Sequence, residues 1–374
     1  MQMGVVAQGW LVYTLTDSAL ALGLISAAWG FPLILFSLFG GMTADRVSKK
    51  KLILLTQGAV CLLSLTMAVL VAGGWIRFWH LIIGSVLSGT IMAFSLPARQ
   101  AMIGEMVSNW ELMNAVALNS GVMNVCRVVS PALAGLLLKQ IGIPGVYWLI
   151  FASYSLGAVF LTRLKARPAP QAGPKTSKKE QLLSGLYYVR GQANLLVLMM
   201  IAFVAFIVVS PYQMLMPVFA RDVFRAGETG LGLLLSADGG GALVGSSLIS
   251  LLGNFKRKGK LMLAGGMAFS TFLILFSQSG SLKIACLFLL FASIGGSILS
   301  MLVMTLIMSV TPRDLLGRVM SLFIITWGLT PFGMLPAGAL AQVFGAPIVV
   351  TAGGSILLIF LVMTAVGQPG LRRL

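Results

Sequence analysis

Acid is scarce in this chain. Asp and Glu supply 9 of its 374 residues and histidine supplies 1, whereas Lys and Arg supply 26. Carboxylates this few and this scattered argue against a membrane-embedded enzyme, which needs acids, histidines or cysteines clustered near one point. Cys61, Cys126 and Cys286 are odd in number and all lie in apolar stretches. They read as small buried hydrophobes, and no metal site is expected. The one histidine, His80, sits beside Trp79 in a short polar connection and reads as an interfacial residue. The opening has no basic n-region and no small-residue cleavage site, so no signal peptide is expected.

What the chain has is apolar length. Hydrophobic residues make up 58% and charged residues 9%, against roughly 25% charged in soluble domains. Mean hydropathy is +0.98. That composition predicts an all-α polytopic membrane protein. Turn signals divide the chain into one partial span at 1–15 and eleven full ones at 19–43, 52–72, 78–104, 113–138, 145–164, 193–219, 229–252, 261–276, 282–309, 316–342 and 346–366. A net charge of +17 raises nucleic acid as a partner, but the cations sit in short connections between spans. With no basic face on a soluble domain, nucleic acid is not expected to bind. Placing alternate connections on opposite sides puts 20 cations on one side and 5 on the other, with Arg127 left inside a span. The cation-rich side, which holds the 165–192 linker and the C-terminus, is therefore expected to be cytoplasmic in a bacterial-type inner membrane. Single cysteines at Lys178 and Lys258, in a cysteine-free background, should resist impermeant thiol reagents in intact cells. One at Glu228 should react, and labelling at Lys258 from outside would reverse the assignment.

The 165–192 linker separates two six-span halves, giving an expected organisation of 1–164, 165–192 and 193–374. Its first part, Arg167-Pro168-Ala169-Pro170-Gln171-Ala172-Gly173-Pro174, reads as extended chain. Its second part gathers Leu182, Leu183, Leu186 and Tyr187 on one helical face near Lys178, Lys179 and Arg190, the pattern of a helix lying on the membrane surface. Gly253-Asn254-Phe255-Lys256-Arg257-Lys258 occupies the place in the second half that Gly40-Gly41-Met42-Thr43-Ala44-Asp45-Arg46-Val47-Ser48-Lys49-Lys50-Lys51 occupies in the first. Duplicated six-helix halves suit a transporter that rocks about a central site.

The Gly40–Lys51 segment, G-x-x-x-D-R-x-x-K-K, resembles the loop between the second and third helices of major facilitator superfamily transporters. Trp10-Leu11-Val12-Tyr13-Thr14-Leu15-Thr16-Asp17-Ser18-Ala19-Leu20-Ala21-Leu22-Gly23, Pro97-Ala98-Arg99-Gln100-Ala101, Asn114-Ala115-Val116-Ala117-Leu118-Asn119-Ser120 and Thr311-Pro312-Arg313-Asp314-Leu315-Leu316-Gly317-Arg318-Val319-Met320-Ser321 are similar to the enterobactin-exporter and macrolide-efflux branch of that superfamily. The resemblance implies two pseudo-symmetric six-helix halves on a twelve-span plan, with the start of the first helix missing, as a misplaced start codon would produce. It also implies alternating access, export of drugs or siderophores against an ion gradient (protons by preference), no cofactor, and a monomer in the bilayer. Where exporters of this kind often carry Gly-Pro in the fifth span, this chain has Ser130-Pro131. Import of a small metabolite on the same fold is the alternative; a non-transporting scaffold or an enzyme fits the sequence less well.

Two groups of residues stand out as mechanism candidates. Gly41, Asp45, Arg46, Lys49 and Arg99 form a candidate conformational lock. The resemblance places Asp45 near the start of the eleventh span, where it would cap that helix and pair with Arg99; a solvated turn with anchoring charges accounts for the same residues without any mechanism. Arg127 and Asp238 are ionisable residues deep inside spans, each about fourteen residues from an inner end, a costly placement that usually marks a cavity or a partner. A structural staple and a proton-linked switch are both open readings of the two, as is their not meeting. Trp29, Asn124, Tyr212, Gln213, Trp327 and Thr330 are candidate lining residues of a substrate cavity, with Pro211-Tyr212-Gln213 expected to break the seventh span, although a lone polar residue in such a helix more often bonds a neighbouring helix. The 21 Met and 21 Phe would suit an adaptable apolar cavity, and lipid-facing packing explains most of them.

Overall fold

The computed structural model describes residues 2–106, 112–163, 187–252, 255, 257–312 and 315–373. Its regular structure is helical throughout those residues, in two compact units, Met1–Pro174 and Lys175–Leu374. The surface helix expected in the linker falls almost wholly outside the described residues; 187–191 are helical.

The first unit contains α1 (Gln2–Thr16), α2 (Ala19–Arg46), α3 (Lys49–Ala72), α4 (Phe78–Met106) and α5 (Leu112–Arg163). Between α1 and α2 the motif Thr16-Asp17-Ser18 makes a tight reversal. Asp17 takes a positive φ of 48°, and the Ser18 hydroxyl accepts from the Ala21 N–H at 3.2 Å, satisfying one of the orphan donors that open a helix. The fifth and sixth expected spans are two helices within Leu112–Arg163, separated by a kink at Gly142, whose φ of 68° and ψ of −179° are not helical. Glycine adopts that conformation at little steric cost.

Within this unit α2 packs most extensively on α4, and α3 on α5. The α2–α4 crossing is close because glycines meet backbone: Gly40 lies against the Ala93 carbonyl and Gly89 against that of Trp29. Pro97 has no N–H for the carbonyl four residues back, which is that of Ala93. Gly40 covers this carbonyl, a contact that suits a Cα–H···O interaction.

The second unit begins with a discontinuous helix. Its parts are α6 (Ala193–Val204), a π-helical turn at Ala205–Val209, α7 (Pro211–Met214), α8 (Met216–Val218) and a second π-helical turn at Phe219–Val223. Then follow α9 (Gly227–Leu252), α10 (Lys258–Gln278), α11 (Leu282–Val310), α12 (Leu316–Gly328), α13 (Thr330–Phe344), α14 (Ala346–Gly367) and α15 (Pro369–Arg373). Helix α11 is central, packing on α9 and α10, and α10 packs on α14. The expected 316–342 span is interrupted at Leu329, which separates α12 from α13.

Nine helical segments among the described residues are long and apolar enough to cross a membrane. Helices α1, α12 and α13, of 15, 13 and 15 residues, are each shorter than a span, and α5 holds two expected spans, one on either side of the Gly142 kink.

Candidate functional site

Among the described residues, the second unit buries one carboxylate and surrounds it with donors. Asp238, at the middle of α9, is 5% exposed. The Tyr212 hydroxyl donates to its Oδ1 at 2.6 Å and the Gln213 amide Nε2 to its Oδ2 at 3.1 Å. The Ser293 hydroxyl also donates to Oδ1. An ionised carboxylate in an apolar span is costly unless its lone pairs are taken, and here three donors from two further segments take them.

The local backbone brings these groups together. Consecutive residues of a regular α-helix point about 100° apart and do not share a face. Tyr212 and Gln213 reach one carboxylate from a stretch where the helix is broken by Pro211, turned at Leu215 and flanked by π-helical turns. Such turns occur frequently at functional sites. Ser293 comes within reach because α11 lies close to α9 at Gly241, where an added Cβ would stand 2.8 Å from that of Ser293. The Tyr212 ring meets Phe269 of α10 edge-on at 6.1 Å. Tyr212 and Ser293 are buried, whereas Gln213 is exposed.

A second polar cluster lies at the end of α4 in the first unit. Arg99 donates through Nε to Ser95 Oγ at 3.0 Å and through Nη2 to Gln57 Oε1 at 3.1 Å. Gln57 passes the chain on, donating through Nε2 to the Tyr154 carbonyl at 3.0 Å. Arg99 thereby links α3, α4 and α5.

The charged hinge is shorter than the sequence suggests. Asp45 and Arg46 belong to the last turn of α2, and Lys49, Lys50 and Lys51 to the first turn of α3, so only Val47 and Ser48 connect the helices. Three lysines at a helix N-terminus oppose its dipole. Lys50 offsets this by donating from Nζ to the Thr162 carbonyl at 2.7 Å, in the last turn of α5, where orphan carbonyls favour a cation. Lys49 is buried, at 5% exposure. Gly41, unlike Gly40, has open space around the position of an added Cβ.

Of the residues singled out from sequence, Asp238, Tyr212 and Gln213 come together, although they were expected in different roles. Ser293 was missed; one serine in an apolar helix gives no signal of its own. Arg127 is an exposed residue of α5 in the first unit. Trp29 is half-buried in α2, and Thr330 opens α13 after the Leu329 break. The side chains of Asp45, Arg46, Asn124 and Trp327 lie outside the described residues.

Solved structures share this fold. The peptide transporter POT superposes with a TM-score of 0.75 at 13% identity, over 99% of this chain and 92% of that one. The nucleoside transporter NupG gives 0.73 at 10% identity, over 97% and 94%. The fold is that of the major facilitator secondary transporters, all-α and multi-pass. Within that superfamily the chain belongs to the transmembrane secretion effector family, whose model matches residues 1–369. Among curated relatives, the staphyloferrin A transporter of Staphylococcus aureus is 24% identical over 244 residues, which is 64% of this chain and 60% of that protein. The enterobactin exporter EntS of Shigella boydii is 28% identical over 332 residues, 83% of this chain and 74% of that one.

Proposed function

We propose that this chain is a proton-coupled exporter of amphipathic small molecules of the siderophore or drug class, with Asp238 as the group that takes up and releases the proton. The observation that carries the reading is the Asp238 cluster: a buried mid-span carboxylate held by Tyr212, Gln213 and Ser293. Two of its three partners stand on the discontinuous helix, so a change of charge at Asp238 acts directly on the segment least constrained by regular hydrogen bonding. Gln213 is exposed at this depth, and an amide exposed mid-span faces a polar cavity more favourably than lipid. The names of the enterobactin exporter and the staphyloferrin A transporter support siderophores as the first substrates to test. The test uses inverted vesicles loaded with a pH-sensitive dye and challenged with a panel of siderophores and drugs. Proton release from the lumen on substrate addition is expected. Proton movement in the same direction as substrate would instead favour import on this fold.

Arg99 and Asp45 are proposed to hold the cytoplasmic side closed, with the linker and C-terminus on that side. The Ser95 and Gln57 contacts fix the Arg99 guanidinium, which leaves little side-chain entropy to lose when an acid approaches. Asp45→Asn keeps size and removes charge, so transport is expected to fall several-fold while membrane insertion stays normal. Arg99→Gln should do the same, with little further loss in the double variant. Wild-type transport in Asp45→Asn would reduce the hinge to a solvated turn.

A further inference from the structure

The three hydrogen bonds that Tyr212, Gln213 and Ser293 make to Asp238 run one way. Tyr212 and Ser293 give hydroxyl hydrogens to Oδ1, and Gln213 gives an amide hydrogen to Oδ2. This pattern matches the carboxylate form, since beside an ionised acid only the amino end of the amide is attractive. The two oxygens differ in how many of these donors they hold. Oδ1 accepts from two hydroxyls and Oδ2 from the Gln213 amide, and the proton that matters to the amide is the one that arrives from water on Oδ2. The new O–H is a strong donor that then faces the Gln213 amino group, which is also a donor. A hydroxyl in that place would rotate its hydrogen away. An amide has no such freedom and must turn over about its last bond, exchanging nitrogen for oxygen.

We propose that Gln213 is the coupling residue of this site, a side-chain amide that turns over when Asp238 gains its proton and so reverses the hydrogen-bonding group offered on its exposed side. The proposal rests on the reading of Asp238 as the proton site. With Asp238 ionised, the amino end points to Oδ2 and the carbonyl end is free to accept. With Asp238 protonated, the carbonyl end accepts the new O–H and the amino end points outward. One proton is gained from water and no other covalent bond changes; the amide nitrogen gives up its hydrogen bonds to Oδ2 and, at 3.4 Å, to the Tyr212 hydroxyl. A substrate bearing O–H or N–H donors, such as a polyhydroxylated or ammonium compound, is therefore held by the ionised site and turned away by the protonated one. That mutual exclusion is what exchange of substrate for proton requires. Gln213 is suited to the task because it is the exposed member of the cluster, while Asp238, Tyr212 and Ser293 are buried.

Other titratable groups on the packed segments lie further off. Tyr212 is in direct hydrogen-bond contact with the carboxylate. On α11, Cys286 and Lys283 are 7 and 10 residues before Ser293, about 10 and 15 Å along the axis. On α9 itself Glu228 is 10 residues before Asp238, about 15 Å. Arg221 and Asp222 belong to the second π-helical turn, beyond α8.

Infrared difference spectroscopy of the purified full chain, between neutral and acid pH and with isotope-labelled glutamine, tests the proposal without a ligand. A carboxylic-acid band absent from Asp238→Asn should appear on acidification. A glutamine side-chain carbonyl band should shift over the same pH range and be lost in Gln213→Met, while the acid band persists. Unchanged helical circular dichroism and a single monodisperse elution peak in Asp238→Asn and Gln213→Met serve as the check on folding. An acid band with no accompanying glutamine shift would overturn the amide switch and leave Asp238 as the proton site. Absence of any acid band attributable to Asp238 would overturn the proton-site reading itself.

Discussion

Gly333→Ala is expected to destabilise the protein far more than its single added methyl suggests, and Gly333→Leu to prevent accumulation in the membrane. An added Cβ would run into the Ile207 carbonyl oxygen and stand 2.7 and 3.0 Å from its carbon and Cα. The obstacle is backbone, so no side chain can rotate away. Overpacking of this kind costs about 1–3 kcal/mol, and displacing a helix costs more. Pro211 has no N–H for the Ile207 carbonyl four residues behind it, and Gly333 is the residue that lies on it. Since Ile207 belongs to the π-helical turn leading to Tyr212 and Gln213, the variant that survives should also lose transport. Gly40→Ala, against the Ala93 carbonyl, should behave similarly. Gly41→Ala meets nothing within 4 Å and should be stability-neutral or gain about 0.5–1 kcal/mol in its helix. Thermal unfolding of the purified variants, ranked against wild type, checks the order.

Asp238→Leu carries the second large effect. It leaves the Tyr212 and Ser293 hydroxyls and the Gln213 amide without their acceptor. A buried donor left unmet costs about 1–3 kcal/mol. With two of the three donors buried, the expected loss is about 2–6 kcal/mol, read as a lowered unfolding temperature in detergent. Asp238→Asn retains Oδ1 for both hydroxyls, and its amide can pair with a turned Gln213, so its loss should be much smaller. Equal stability of wild type and Asp238→Leu would mean that the cluster contributes nothing to the packing of α7, α9 and α11.

Hydropathy located most helices to within a few residues because an apolar span is a property of a contiguous stretch. The Gly40–Lys51 charges were legible as a hinge, but its length was not: helical hydrogen bonding continues through Arg46 and resumes at Lys49, where polarity alone suggests a longer loop. Pro211 announced a break in its span, and the break at Leu329 lies between Gly328 and Pro331, signals outweighed by the unbroken hydropathy of the stretch. The partners of Pro97 and Pro211 were illegible in principle, since Gly40 and Gly333 act on carbonyls of helices remote in sequence. The same holds for the site. Asp238 stood out as a costly charge in an apolar span, and Tyr212 and Gln213 stood out beside a proline. That the three converge, with Ser293 as a fourth member, depends on the broken backbone and on Gly241 letting α11 approach.

The most direct measurement compares wild type with Asp238→Asn in two assays on the same vesicles, using a substrate established for the wild type. Uphill transport driven by an imposed proton gradient requires Asp238 to load and unload a proton. Exchange of labelled for unlabelled substrate at equal pH requires only binding and the conformational cycle. The account predicts that Asp238→Asn loses gradient-driven accumulation by at least tenfold while exchange continues at a rate within a few-fold of wild type. Gradient-driven transport at the wild-type rate in Asp238→Asn would contradict it.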